Sequence, residues 1–273
     1  MPASPHITSP NKSIFSKTAD SPAGDFKPIP GQPIPGSIRS FDLQGPVGRL
    51  EALLNQGNPS APYVTLLCHP HPLGGGTMHN KVVYHTMKVF NGLGWPVLRF
   101  NFRGTGLSEG SHDGRAESED VRAGLDWLAA EYGKPIVAAG FSFGAAMGLK
   151  ACCSYPGIGP GVGSGIRGFA ALGLPTHAEG RDYSHPYLLN CTFPKLFLSG
   201  SRDQYAPADQ LRSITEAAQQ PRRLVLIPGA DHFFLGHLEA MQTALGQWLR
   251  DTFPAAQQSS NPGNIDSSES AAQ

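Results

Sequence analysis

No stretch of this 273-residue chain stays apolar for long. Runs such as Pro135-Ile136-Val137-Ala138-Ala139 and Phe169-Ala170-Ala171-Leu172 fall far short of the ~20 residues a bilayer span needs, which excludes a transmembrane helix. Charge of one sign is missing too. Lys plus Arg is 21 and Asp plus Glu is 21, so no net field draws the chain to nucleic acid or anionic lipid. Cysteine is scarce, with four in all, two of them adjacent: Cys68, Cys152, Cys153 and Cys191. In a chain of this length they read as reduced core residues. The N-terminus lacks the apolar run of about seven residues that a secretory signal carries. These absences together predict a cytoplasmic protein.

What the chain does have is 40% hydrophobic residues, enough for a sizeable core. Glycine (33) and proline (25) are abundant without a three-residue period, which calls for many tight turns and some irregular chain. Eight of the prolines fall within residues 1–36. That segment holds neither helix nor ladder and is expected to be a disordered tail. Residues 254–273, rich in Gln, Ser, Asn and Ala, are expected to be a second one. One folded domain is left, over 37–253.

Within it, β-type runs at 38–43, 49–54, 63–68, 97–102, 136–141, 166–172, 196–199 and 224–227 predict eight strands. The first two alternate polar with apolar around a Gln44-Gly45-Pro46 turn, as an antiparallel hairpin does. Later runs are almost wholly apolar, as strands buried on both faces are. Between them lie apolar residues in steps of three and four: Val83, Met87, Phe90; then Val121, Leu125, Leu128, Tyr132; then Leu235, Leu238, Met241, Leu245, Trp248. The acidic cluster Glu117, Glu119, Asp120 at the head of the second complements a helix N-terminus. Strand and helix in alternation predict an α/β fold: a mostly parallel eight-stranded sheet with helices on both faces.

The most informative stretch is Gly140-Phe141-Ser142-Phe143-Gly144, which follows an apolar strand and opens a helix rich in small residues. A G-x-S-x-G pattern in that setting puts Ser142 on a sharp turn with its hydroxyl above the sheet. A serine needs a base to become a nucleophile, and the base needs a carboxylate to orient it. Asp203 lies just beyond the run at 196–199, and His232 lies between the last strand and the last helix. Ser142, Asp203 and His232 therefore stand in the order expected of three loops at the carboxyl edge of such a sheet. Asp231 competes poorly for the acid role, because adjacency to His232 makes the side-chain hydrogen bond awkward.

Acyl transfer also requires backbone N–H groups aimed at the oxygen that becomes negative, and Phe143, after the nucleophile, supplies one. A second is expected from His69-Pro70-His71-Pro72-Leu73-Gly74-Gly75-Gly76, after the third strand. Pro70 and Pro72 have no N–H, so the donor is His71 or Leu73, and His71 is preferred. The three glycines let this loop approach a substrate closely. His69, His71 and His79 invite a metal reading, but no cysteine or carboxylate cluster lies beside them, so neither metal nor cofactor is assigned. His69 is expected to bond neighbouring loops, Arg103 to tie loops through an ion pair, and His177 and His185 to lie at the surface.

Taken together, His69-Pro70-His71-Pro72 with Gly75-Gly76-Thr77-Met78, then Asn101-Phe102-Arg103-Gly104, then Gly140-Phe141-Ser142-Phe143-Gly144, resemble the α/β-hydrolase superfamily. More narrowly they resemble a group of small bacterial serine hydrolases near the dienelactone-hydrolase-like branch. The resemblance implies the fold and the triad, not the substrate. Dienelactone hydrolases carry cysteine at the nucleophile position, so Ser142 argues against that activity. The group usually has a larger residue in place of Gly74 and Asp in place of His79, and nothing in it corresponds to the proline-rich tail. Many superfamily members insert a large lid after the sixth strand, whereas here only residues 175–193 stand there. The expected function is hydrolysis of small carboxylic esters or thioesters through an acyl-enzyme, with a small-molecule ester as substrate and neither nucleic acid nor membrane as partner. Peptide or amide hydrolysis, acyl transfer by the same triad, and a non-catalytic ligand-binding module are the competing readings.

Overall fold

The computed structural model describes residues 36–155, 165–177 and 183–254. The predicted tails lie outside the described residues except for Gly36 and Pro254 at their inner ends. Eight strands form one sheet in the order β1-β2-β4-β3-β5-β6-β7-β8. The hairpin β1 (Ile38–Gly45) and β2 (Gly48–Asn55) is antiparallel, closing at Gly45 opposite Gly48. β2 runs antiparallel to β4 (Val97–Phe100), and β3 (Thr65–Cys68) pairs in parallel with β4 and β5 (Ile136–Phe141). The remaining strands, β6 (Ile166–Leu172), β7 (Lys195–Gly200) and β8 (Arg222–Ile227), continue the parallel run.

Strands β3 to β5 are buried along their whole length because both faces of the sheet are covered. In β5, Ile136 and Ala138 join one core while Val137, Ala139 and Phe141 join the other, as the two-residue period of a strand requires. The first core is packed by α2 (Glu117–Tyr132), α3 (Phe143–Cys153) and, through Leu211, α4 (Ala208–Ala217). The second is packed by α1 (Lys81–Gly92) and α5 (Leu238–Thr252). Asn80 caps α1, its Oδ1 accepting from Val82 N at 2.9 Å.

Three expectations need correcting. The apolar period assigned to the last helix starts at Leu235, but α5 begins at Leu238 and Leu235 is exposed. Asp231 Oδ1 accepts from the amides of Phe233 and Leu235, and Gly236 turns with φ 73°, so a turn occupies the stretch where periodicity alone reads helix. His185 is buried, not on the surface: its Nε2 lies 2.8 Å from the Pro175 carbonyl and its Nδ1 2.7 Å from the Tyr187 hydroxyl. The cysteines are not all reduced. Cys153, at the end of α3, is disulfide-bonded to Cys191 ahead of β7, while Cys68 and Cys152 are free and buried. The partners are 38 residues apart and meet only because β6 and β7 are neighbours. The pairing withdraws the cysteine argument for a reducing compartment. Among the described residues, no helix is long and apolar enough to cross a membrane.

Candidate active site

One residue reverses the chain between β5 and α3. Ser142 has φ 55° and ψ −121°, a conformation that non-glycine residues adopt only when their surroundings force it. Here the forcing is steric and hydrogen-bonded. A side chain at Gly140 would lie 2.4 Å from the carbonyl oxygen of Gly144, and one at Gly144 would lie 2.3 Å from that of His69. Only glycine lets strand, helix and the loop after β3 come this close. Ser142 N is held on the sheet by Leu172 O at 2.8 Å.

Two loops bring groups to the serine hydroxyl. His232, beyond β8, places Nε2 2.9 Å from Ser142 Oγ. On its other side Nδ1 lies 2.9 and 2.8 Å from the two carboxylate oxygens of Asp203, beyond β7. Burial pushes the Asp203 carboxyl up. The bonds it accepts from His232, Ser199 Oγ and Tyr205 N, with the attraction of the imidazole, outweigh that and hold it below the usual carboxylate range. An ionised Asp203 only accepts, so Nδ1 donates to it and Nε2 is left to accept from the Ser142 hydroxyl. Asp231 takes no part, its Oδ1 being committed to the turn amides.

The loop after β3 forms the facing wall. His69 is fully buried, donating from Nδ1 to Pro70 O at 2.6 Å and accepting at Nε2 from Phe102 N at 2.9 Å. Burial pushes its pKa down from 6.5 to about 3. It joins the ends of β3 and β4, the loop-bonding part expected of it. The amide of Leu73, one of the two donors left open by sequence, donates to His71 Nδ1 at 3.1 Å. The His71 ring packs on that of Phe143, centroids 4.9 Å apart, which sets the loop beside the first residue of α3. The triglycine is only partly a substrate approach. Gly74 and Gly76 line the cavity, but a side chain at Gly76 would strike the loop's own Pro70 carbonyl at 2.3 Å.

Ser142, His232, Phe143 and His71 open onto a cavity of about 330 Å³. Tyr183, Tyr205 and Phe233 complete its apolar lining, and Tyr205 packs edge-on against His232 with centroids 4.7 Å apart. Sequence reasoning passed over these aromatics: Tyr205 and Phe233 are signalled only by their place beside Asp203 and His232, and Tyr183, between β6 and β7, has no local signal. It also passed over His112 and its pairing with Glu117. His112 Nδ1 lies 2.5 Å from Oε1 of the buried Glu117, and its ring meets His71 and Phe143 at 4.7 and 5.5 Å. The acid at the head of α2 thus braces the His71 side of the cavity as well as complementing a helix terminus. Arg103 makes the expected ion pair, but it ties its loop to helix α2 rather than to another loop: its guanidinium and its N–H both bond Asp120, with Nη2 to Oδ1 at 2.7 Å. His79 and His177 are exposed, and among the described residues no cluster of three His, Cys, Asp or Glu is arranged to hold a metal.

Comparison with known proteins gives the family and the fold. The family model for the alpha/beta hydrolase domain matches residues 64–252. An uncharacterized protein of Rickettsia prowazekii (strain Madrid E) is 34% identical over 218 residues, covering 76% of this chain and 87% of that protein. Among solved structures, an alpha-beta serine hydrolase homologue from Coxiella burnetii is 33% identical with a TM-score of 0.69, covering 77% of this chain and 97% of the other. XC6422 from Xanthomonas campestris, described as an a/b serine hydrolase without lid, is 31% identical with a TM-score of 0.70, covering 82% and 98%. On that family match and the eight-stranded, helix-flanked sheet, this chain belongs to the α/β-hydrolase family and is a hydrolase.

Proposed function

We propose that this hydrolase cleaves small carboxylic esters and thioesters through a covalent acyl-serine. Ser142 is the nucleophile, His232 the general base and then acid, and Asp203 the carboxylate that orients the imidazole. The observation carrying the reading is the hydrogen-bonded line from Asp203 through His232 to a strained Ser142 that faces a cavity.

In the first step Ser142 Oγ bonds to the acyl carbon while its proton passes to His232 Nε2 and the carbonyl electron pair moves onto oxygen. That oxyanion takes hydrogen bonds from the backbone N–H of Phe143 and of His71, donors held in place before the reaction begins. Collapse breaks the bond to the leaving group, which departs as an alcohol or thiol with the proton from Nε2. Water then repeats the sequence on the acyl-serine: it loses a proton to Nε2, its oxygen bonds to the acyl carbon, and Oγ leaves and recovers the proton as the acid is released. Asp203 stabilises the imidazolium in both halves. No step calls on a metal or organic cofactor, so none is assigned.

The cavity is at the small end for ligand sites, and among the described residues between β6 and β7 the one element is the 3-10 turn Pro186–Asn190. Short acyl groups fit such a site best. A fluorophosphonate probe is expected to label the protein but not Ser142→Ala. Turnover of p-nitrophenyl acetate and butyrate should exceed that of palmitate and persist in EDTA. Labelling that survives Ser142→Ala would overturn the nucleophile, best turnover on palmitate the size argument, and loss in EDTA with rescue by zinc the metal-free chemistry.

A further inference from the structure

A second cavity, of about 390 Å³, adjoins the first: Tyr183 lines both. Its first wall is α3. Phe143 lines the first cavity, and Ala146, Met147 and Lys150 line the second, positions three, four and seven residues on, which share one helix face. The opposite wall is the segment Tyr183 to Tyr187, and Gly114 with Arg115, just ahead of α2, form the third side. Moving along α3 away from Ser142, the surface changes from apolar, with Met147 and Tyr183 buried, to cationic at Lys150 and Arg115.

Neither cation is in an ion pair among the described residues. The Lys150 ammonium has only the Arg115 carbonyl, at 3.4 Å. Carboxylates nearby in sequence are committed elsewhere: Asp113 to the amides of Arg115 and Ala116, Glu117 to His112, Glu119 and Asp120 to Arg103. Among the described residues, two positive side chains without an ion pair therefore line a cavity that adjoins the one beside Ser142. The walls are also tied together. The Tyr187 hydroxyl donates to Ala146 O at 3.1 Å, and the Cys153–Cys191 bridge fastens the end of α3 to the residue that follows the 3-10 turn Pro186–Asn190. A site held open in this way binds without first having to be ordered.

We propose that the second cavity receives the far end of the acyl chain, and that Lys150 and Arg115 pair with a carboxylate at its tip. The preferred substrates are then half-esters of dicarboxylic acids. Lys150 stands seven residues along α3 from Phe143, about 10 Å at the helical rise, which is the span of a medium-length chain. The acyl half is the relevant one because it stays bonded to Ser142, from which α3 departs, through both steps. This inference rests on the ester reading above, and its test separates the two.

The p-nitrophenyl half-esters of adipic and suberic acid are compared with the neutral hexanoate and octanoate, with spontaneous hydrolysis subtracted. The suberate half-ester is expected to exceed octanoate in kcat/KM by about tenfold, an advantage that shrinks as salt is added. In Lys150→Glu and Arg115→Glu, singly and combined, the ratio should fall to one or below. Lys88→Glu makes the same charge change on α1, across the sheet, and should leave both rates and their ratio as they were. Equal rates on acid and neutral esters in the unaltered protein would overturn this inference alone. A preference that survives the double charge reversal would overturn the assignment to Lys150 and Arg115. If neither ester is turned over, the ester reading falls and takes this inference with it.

Discussion

Ser142 holds a backbone conformation that its own chemistry disfavours, and the strain is maintained by groups with nothing to react: Gly140, Gly144 and the Leu172 carbonyl. The reactive groups themselves are few, and they are expected to act as a unit. Ser142→Ala or His232→Ala should lower turnover by roughly four to six orders of magnitude with an unchanged circular dichroism spectrum, and Asp203→Asn somewhat less. Asp203, held below the usual carboxylate range, stays ionised at neutral pH and keeps His232 Nδ1 the donor. Near-normal turnover in His232→Ala would contradict the base assignment. At this scale the three side chains were legible from sequence, because a nucleophile turn and the ends of two apolar strands have local signatures. Tyr205, Phe233 and His112 were not, since an aromatic or a histidine in a loop has none.

Between β3 and β4 the connection is made by His69 rather than by strand pairing alone: one ring nitrogen serves the Pro70 carbonyl, the other the Phe102 amide. That arrangement needs a neutral ring, which has a consequence for stability. The folded pKa is depressed to about 3 from 6.5, so below pH 6.5 the unfolded chain takes up a proton that the native state refuses. The contribution is therefore complete above 6.5 and is lost as pH falls toward 3, at up to about 1.4 kcal/mol per pH unit. Urea unfolding should show the protein losing about 2 kcal/mol from this source between pH 7 and 5. His69→Asn should be less stable at pH 7 but lose less on acidification, and an equal loss in the variant would place the sensitivity elsewhere. Element boundaries followed the sequence where apolar runs are mostly or wholly buried, as in β5 and β6, each found at its predicted residues. They departed where polar side chains take over the backbone amides, as Asp231 does ahead of α5.

At the scale of the whole molecule, two helical layers sandwich the sheet, and one covalent bond joins α3 to the segment entering β7. Closing a loop of 38 residues restricts the unfolded chain, which is worth on the order of 3–4 kcal/mol in the chain-entropy account. Thiol titration of protein denatured without reductant should find two reactive cysteines, Cys68 and Cys152, and four after reduction. Four without reductant would show the bridge to be unformed. Reduction should also lower the melting temperature. The same bond fastens one wall of the second cavity to the other, so stability and the shape of that cavity are linked through it.

From the sequence alone came the eight strands, the alternation that makes the sheet mostly parallel, the nucleophile turn and the chain order of Ser142, Asp203 and His232. Each of these is written in local periodicity or in a short motif, where neighbours in sequence are neighbours in space. Only the tertiary structure decided that Cys153 meets Cys191, that His112 is set against Glu117 behind His71, that His185 is buried, and that Lys150 and Arg115 line one cavity. Those contacts depend on which strands and helices lie side by side. The order β1-β2-β4-β3-β5-β6-β7-β8 is chosen by the burial of both faces of the whole sheet at once, which no single segment records.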